Sequence, residues 1–145
     1  MKLSREQLYH QLHMTYLRCL ACCYYCPDIW IAFAQFEAKY DWKRAVDVLQ
    51  CAVKAIPESI ILRLACCDFY EEHDQLTYAE EAYEKIVIVV NEPIGWIEYM
   101  RYTRRQKGVQ AYRDLFMRAK ECCKKPEVFV TAGRRSFIEL MNSFD

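Results

Sequence analysis

Apolar positions along the chain repeat at two spacings at once. Over short windows they return every three or four residues, which turns one face of a helix towards a core. Trp30, Phe33 and Phe36 form one such window, Leu64, Cys67 and Tyr70 a second, and Trp96, Tyr99 and Tyr102 a third. The windows also align with one another, because Trp30, Leu64, Trp96 and Val128 stand 34, 32 and 32 residues apart. A second apolar set follows each: Ala45-x3-Leu49-x2-Ala52-Val53, Ala79-x3-Tyr83-x2-Ile86-Val87 and Tyr112-x3-Phe116-x2-Ala119. Pro27, Pro57, Pro93 and Pro126 punctuate the same period at intervals of 30, 36 and 33 residues. Proline is tolerated in the first turn of a helix, so each is expected to open a new unit. Breaks near Asp41, His73-Asp74 and Lys107-Gly108 separate the first helix of a unit from the second, with Gly108 as a C-cap.

This pattern predicts an all-α chain of about eight helices, over 4–26, 28–40, 42–56, 58–73, 75–91, 93–106, 108–125 and 126–143. Helical hairpins recurring every 30–40 residues or so are the mark of stacked repeats. The expected architecture is an α-solenoid in which each unit packs mainly on its neighbours. A single array would then run over 1–145, with units at 1–26 (partial), 27–56, 57–91, 92–125 and 126–145 (partial). Leu8, Tyr9, Leu12 and Tyr16 at one end, and Phe137, Ile138, Leu140 and Met141 at the other, leave apolar terminal faces. Such faces suit continuation into a longer array, or docking.

Composition narrows the class further. Apolar residues make up 54% and charged residues 28%, which excludes a disordered chain, and three glycines with four prolines are too few for a turn-rich β fold. The longest strongly apolar run, Ile86 to Val90, is far short of the ~18 residues of a membrane span. No apolar segment follows Met1, so a soluble intracellular protein is expected, without a membrane partner. Formal charge is zero but uneven: residues 1–100 carry nine Lys/Arg against fifteen Asp/Glu, and residues 101–145 eleven against five. Arg101, Arg104, Arg105 and Lys107 concentrate this excess into a candidate basic interaction surface.

The first helices carry the more specific signature. Trp30-Ile31-Ala32-Phe33-Ala34-Gln35-Phe36-Glu37, with Ala45 to Val53 and Pro57 downstream, resembles the half-a-tetratricopeptide (HAT) repeat of RNA-processing proteins. Glu71 repeats Glu37, and Thr103 takes the same step in the third unit. Two stretches resemble, more narrowly, the scaffold subunit of the cleavage stimulation factor, the suppressor-of-forked family. One is Tyr16 to Leu20 followed by Pro27-Asp28-Ile29-Trp30; the other runs from Ile97 through Arg104-Arg105 and Gly108-Val109 to Val128–Ala132. The resemblance spans about 12–135 and corresponds to the C-terminal half of that family's HAT array. It implies a nuclear, non-enzymatic scaffold for pre-mRNA 3′-end cleavage and polyadenylation. Its partners would be proteins of that complex, with homodimerisation through this half of the array. The repeat-core signature then comprises Trp30, Phe33, Glu37, Leu64, Tyr70, Glu71, Trp96, Tyr99 and Tyr102.

Cys19, Cys22, Cys23 and Cys26 have zinc-like spacing, but their i, i+3, i+4, i+7 order predicts a buried helical stripe, so metal binding is not expected. All nine cysteines are expected as reduced thiols, and His10 and His13 as solvated side chains. Glu37 and Glu71 either pair with second-helix cations, such as Arg44 or Lys85, or remain in water. No nucleophile elbow, zinc-protease motif or phosphate loop occurs, so neither catalysis nor a cofactor is expected. The alternatives are direct RNA contact by the basic 101–135 face, or a HAT/TPR adaptor role in another RNA-processing complex.

Overall fold

In the computed structural model of the chain, residues 2–123 are described. They form seven α-helices: α1 (Arg5–Cys23), α2 (Pro27–Ala38), α3 (Trp42–Ala55), α4 (Ile60–Glu72), α5 (Leu76–Val89), α6 (Pro93–Lys107) and α7 (Val109–Cys122). The eighth expected helix, with Pro126, Val128, Thr131, Arg134 and Arg135, lies outside the described residues. Helices consecutive in sequence pack as pairs, α1 on α2, α2 on α3, α3 on α4 and α6 on α7, as a helical repeat array requires. The chain divides into two compact units, Met1–Ala82 and Tyr83–Asp145.

Local chemistry sets the helix ends. Ser4 and Gln7 cap α1 reciprocally: the Gln7 amide donates to Ser4 Oγ at 3.2 Å, and the Ser4 amide donates to Gln7 Oε1 at 3.0 Å. Pro27 and Pro93 stand at the first positions of α2 and α6, as expected. Pro57 does not open its helix. It lies in the turn before Ser59, whose Oγ accepts from the Leu62 amide and so caps α4, while the Pro57 carbonyl accepts from Arg63 Nε at 3.0 Å. Asp41 caps α3 by accepting from the Lys43 amide at 3.0 Å. Asp74 and Asn91, at φ 56° and 45°, adopt left-handed backbone after α4 and before α6, and Gly108 at φ 93° parts α6 from α7.

In the first unit the core is built from Phe33, Ala34 and Phe36 of α2, Ala45, Leu49 and Ala52 of α3, and Leu62, Cys66 and Cys67 of α4. Ala34, Ala45 and Ala52 are fully buried, and their small side chains permit the close approach of α2, α3 and α4. Leu20 joins Phe33 and Phe36, with Tyr9 and Tyr16 laid over the same cluster. Each large apolar side chain withdrawn from water in this way stabilises by about 1.5–3 kcal/mol. In the second unit Tyr83, Ile86 and Val87 of α5, Trp96, Tyr99, Met100 and Tyr102 of α6, and Tyr112, Leu115 and Ala119 of α7 are buried. The Tyr83 ring stacks on Tyr99 at 5.3 Å and meets Tyr102 at 4.9 Å. In α7 the core stripe is Tyr112, Leu115 and Ala119, so Leu115 replaces the expected Phe116, which is half-buried.

Candidate interaction surface

Two polar networks interrupt these cores, one in each unit. In the first, Glu37 is 1% exposed, yet no buried side-chain N or O atom lacks a partner among the described residues. The Tyr9 hydroxyl lies 2.8 Å and 3.1 Å from its two carboxylate oxygens, and His13 Nδ1 lies 2.6 Å from Oε1. Arg44 does not pair with Glu37 directly. Its Nη1 donates to the Tyr9 hydroxyl at 3.1 Å, and its guanidinium lies over the Tyr9 ring at 5.6 Å, so the tyrosine relays the cation to the carboxylate. Burial and the neighbouring Glu37 carboxylate raise the Tyr9 pKa, with Arg44 opposing them. His13, expected in water, is thus tied into the α1–α2 seam, between the rings of Tyr9 and Phe33.

In the second unit Glu84 of α5 takes a bidentate grip from Arg118 of α7, at 2.7 Å and 2.8 Å, and a hydrogen bond from the Tyr99 hydroxyl at 2.7 Å. The Arg118 bond lowers the Glu84 pKa despite its partial burial, and Glu84 raises that of Arg118. Arg118 also lies over the Trp96 ring at 5.5 Å, whose Nε1 donates to Asn91 Oδ1 at 2.9 Å. Asn91 Nδ2 in turn donates to the Cys122 carbonyl at 3.3 Å, binding the α5–α6 turn to the end of α7. No motif in the sequence joins Glu84, Arg118 and Asn91, and the one signal is spacing: Gln50, Glu84 and Arg118 recur at 34-residue intervals. Gln50 plays a comparable part on α3, where its Nε2 donates to the Tyr70 hydroxyl at 3.0 Å.

The candidate basic residues divide between faces of α6. Arg101 and Arg105 are exposed, and at about 100° per residue they lie on the side of the helix away from Tyr99 and Thr103. Arg101 pairs with Glu98 at 2.8 Å. Arg104 is half-buried, and Arg104, Arg105 and Lys107 all fall in the last turn, where positive charge complements the helix dipole. Lys107 instead borders a shallow groove of about 270 Å³ between α6 and α7, with Tyr99, Thr103, Leu115 and Arg118 along its sides.

Signature positions divide between deep core and core edge. Phe33, Glu37, Trp96, Tyr99 and Tyr102 are buried, whereas Trp30, Leu64, Tyr70 and Glu71 are half-buried. Thr103 is buried with its hydroxyl on the Tyr99 carbonyl at 2.9 Å, so the residue in place of the glutamate needs no partner from another helix. The expected buried cysteine stripe is corrected: Cys19 and Cys22 are exposed, and Cys23 and Cys26 half-buried. Helix α1 packs through Tyr9, His13, Tyr16 and Leu20, at steps of i, i+4, i+7 and i+11, which leaves Cys19 and Cys22 off the seam. Among the described residues no three or more His, Cys, Asp or Glu side chains are grouped to hold a metal ion, and no helix is long and apolar enough to cross a membrane.

Comparison with known proteins matches the family model described as Suppressor of forked protein (Suf) over residues 1–145. Among curated relatives, the chain is 35% identical over 108 residues to cleavage stimulation factor subunit 77 of Arabidopsis thaliana. That alignment covers 74% of this chain and 15% of the relative.

Proposed function

The chain belongs to the suppressor of forked family, and on that premise we propose that it is a non-enzymatic protein-interaction scaffold in pre-mRNA 3′-end cleavage and polyadenylation. The observation that carries this reading is the family match along the whole chain, joined to helix pairs whose periodic positions are spent on packing. The mechanism is geometric: stacked hairpins hold partner sites at set distances, without turnover. Its setting is the nucleus, its partners are proteins of the cleavage-stimulation assembly, and a second copy of the chain is one of them. The relative's other 85% is not matched by this alignment, so only the array's share of that activity is proposed.

Molar mass by light scattering across concentration, with reductant and chelator present, tests the self-association. A discrete dimer supports it, and a monomer at all concentrations removes the second copy from the partner set. Reconstitution with purified cleavage-stimulation subunits tests the rest: a stoichiometric complex is expected, and the absence of any would sink the scaffold reading. One observation keeps RNA as a second reading, namely that Arg101 and Arg105 share an exposed side of α6. Phosphate contact there predicts RNA affinity that falls steeply with salt and is lost in the R101E/R105E double variant.

A further inference from the structure

We infer that Cys23 and Cys26 form a dithiol site for reversible oxidation, closed by thiol–disulfide exchange with a small-molecule disulfide such as glutathione disulfide. The pair spans the turn between α1 and α2, where the Cys26 amide donates to the Cys23 carbonyl at 3.1 Å. A turn closed by that bond brings its first and fourth Cα atoms within about 7 Å, inside the reach of a disulfide. Both flanks hold it in place. Pro27 follows Cys26 at the first position of α2, and the carbonyl of Tyr24 accepts from Trp30 Nε1 at 2.6 Å. Tyr24 and Tyr25, between the two thiols, are 54% and 63% exposed, and Cys23 and Cys26 are half-buried, so the turn lies at the surface with both thiols in partial reach of water.

The other neighbouring cysteine pairs are placed less well. Cys19 and Cys22 share the i, i+3 spacing but both lie inside α1, where closing Cβ atoms about 5–6 Å apart to the ~3.5–4.5 Å of a disulfide must distort the helix itself, whereas Cys23 and Cys26 meet across a non-helical turn. Cys122 and Cys123 are adjacent, and Cα atoms ~3.8 Å apart fall short of the usual disulfide span. Cys66 and Cys67 are buried, and burial pushes the Cys66 thiol up to about 12, which suppresses the attacking thiolate. Cys26 caps α2 without any side-chain hydrogen bond, so its sulfur is not committed to the helix.

The chemistry balances in two exchanges. The thiolate of Cys23 attacks one sulfur of glutathione disulfide, breaks its S–S bond and expels one glutathione thiolate. The thiolate of Cys26 then attacks the Cys23 sulfur of that mixed disulfide and expels the second. The two protein thiols lose two electrons, glutathione disulfide gains them, and the two thiol protons end on the two glutathiones. The product links the end of α1 to the start of α2 across the turn.

The test equilibrates the 145-residue chain in buffers of rising glutathione disulfide to glutathione ratio, with chelator, followed by acid quench, alkylation and peptide mass spectrometry. The expected result is a Cys23–Cys26 cross-link that accumulates first among all cysteine pairs and is reversed by dithiothreitol. In the C26S and C23S variants the remaining thiol should instead retain glutathione, roughly tenfold or more above its level in the unaltered chain, because the intramolecular second step is gone. Full alkylation of both thiols at the most oxidising ratio would overturn the inference. So would a cross-link through Cys19 or Cys22 that forms before the Cys23–Cys26 one.

Discussion

Glu37 and Glu84 are both carboxylates joined to a tyrosine and a basic side chain, but their surroundings make opposite demands. Glu37 is sealed in the core, so its removal leaves the Tyr9 hydroxyl and His13 without their acceptor. Glu37→Ala should therefore destabilise by ~1–3 kcal/mol in urea melts, and Glu37→Gln, which keeps an acceptor oxygen, by visibly less. Equal losses for the two would show that the carboxylate's hydrogen bonds contribute little. Glu84 is half-exposed, and its pairing with Arg118 is screened, so about 1 kcal/mol or less is expected from it. Its folded pKa is held below the unfolded value, which means that it binds a proton more readily when unfolded. The contribution is thus present above the unfolded carboxyl value of ~4.3 and is lost as pH falls through the folded one. Thermal melts of the chain and of Glu84→Gln should differ at pH ~7 and converge on acidification below that carboxyl value. A gap that widens in acid would contradict the assignment.

Helix ends show how much of the elements was written in the sequence. Every described helix begins and ends within three residues of its predicted bounds, because the apolar period and the breakers between helices together confine each one. Pro57 departed because proline marks the neighbourhood of a helix start, whereas a side chain that can accept from the first-turn amides, here Ser59, sets the start itself. The cysteine stripe failed for a different reason. Periodicity identifies a face but not the neighbour that covers it, and on α1 the aromatic side chains Tyr9 and Tyr16 claimed the seam. The three left-handed turns offer a sharper test of local physics. Asp74 carries φ 56° with no side-chain hydrogen bond to justify it, so Asp74→Gly should be neutral or stabilise by up to ~1 kcal/mol. Asn91 has a similar φ, but its amide bridges Trp96 and the Cys122 carbonyl. Asn91→Gly should therefore destabilise by about 1–2 kcal/mol despite the same relief of backbone strain. Gly108→Ala meets no atom within 4 Å and would register the strain alone. Denaturant midpoints of the three variants separate the cases, and stabilisation by Asn91→Gly would remove its bridging role.

At the scale of the whole chain, the family and the repeat were legible because both reside in spaced core positions. The polar networks were less so: Gln50, Glu84 and Arg118 fall at one 34-residue step, but that spacing does not say which tyrosine or cation each side chain meets. Only packing joins Glu84 to Arg118 and Tyr99. Those networks also determine how far a disturbance should travel. Glu37 and all its partners belong to the first unit, and Glu84 with Tyr99, Arg118 and Trp96 to the second. In a quasi-one-dimensional array each element is stabilised mainly by its sequence neighbours, and opening proceeds in contiguous segments rather than all at once. Glu37→Ala should accordingly speed amide hydrogen exchange in α1 and α2 while α6 and α7 keep their protection. Glu84→Gln should do the reverse, with α5 the one helix sensitive to both, since the boundary between the units falls inside it at Ala82 and Tyr83. Mass-resolved exchange on the two variants reads this directly. Uniform acceleration across all seven described helices would mean that these residues unfold as one cooperative body, and the neighbour-by-neighbour account of their stability would have to be abandoned.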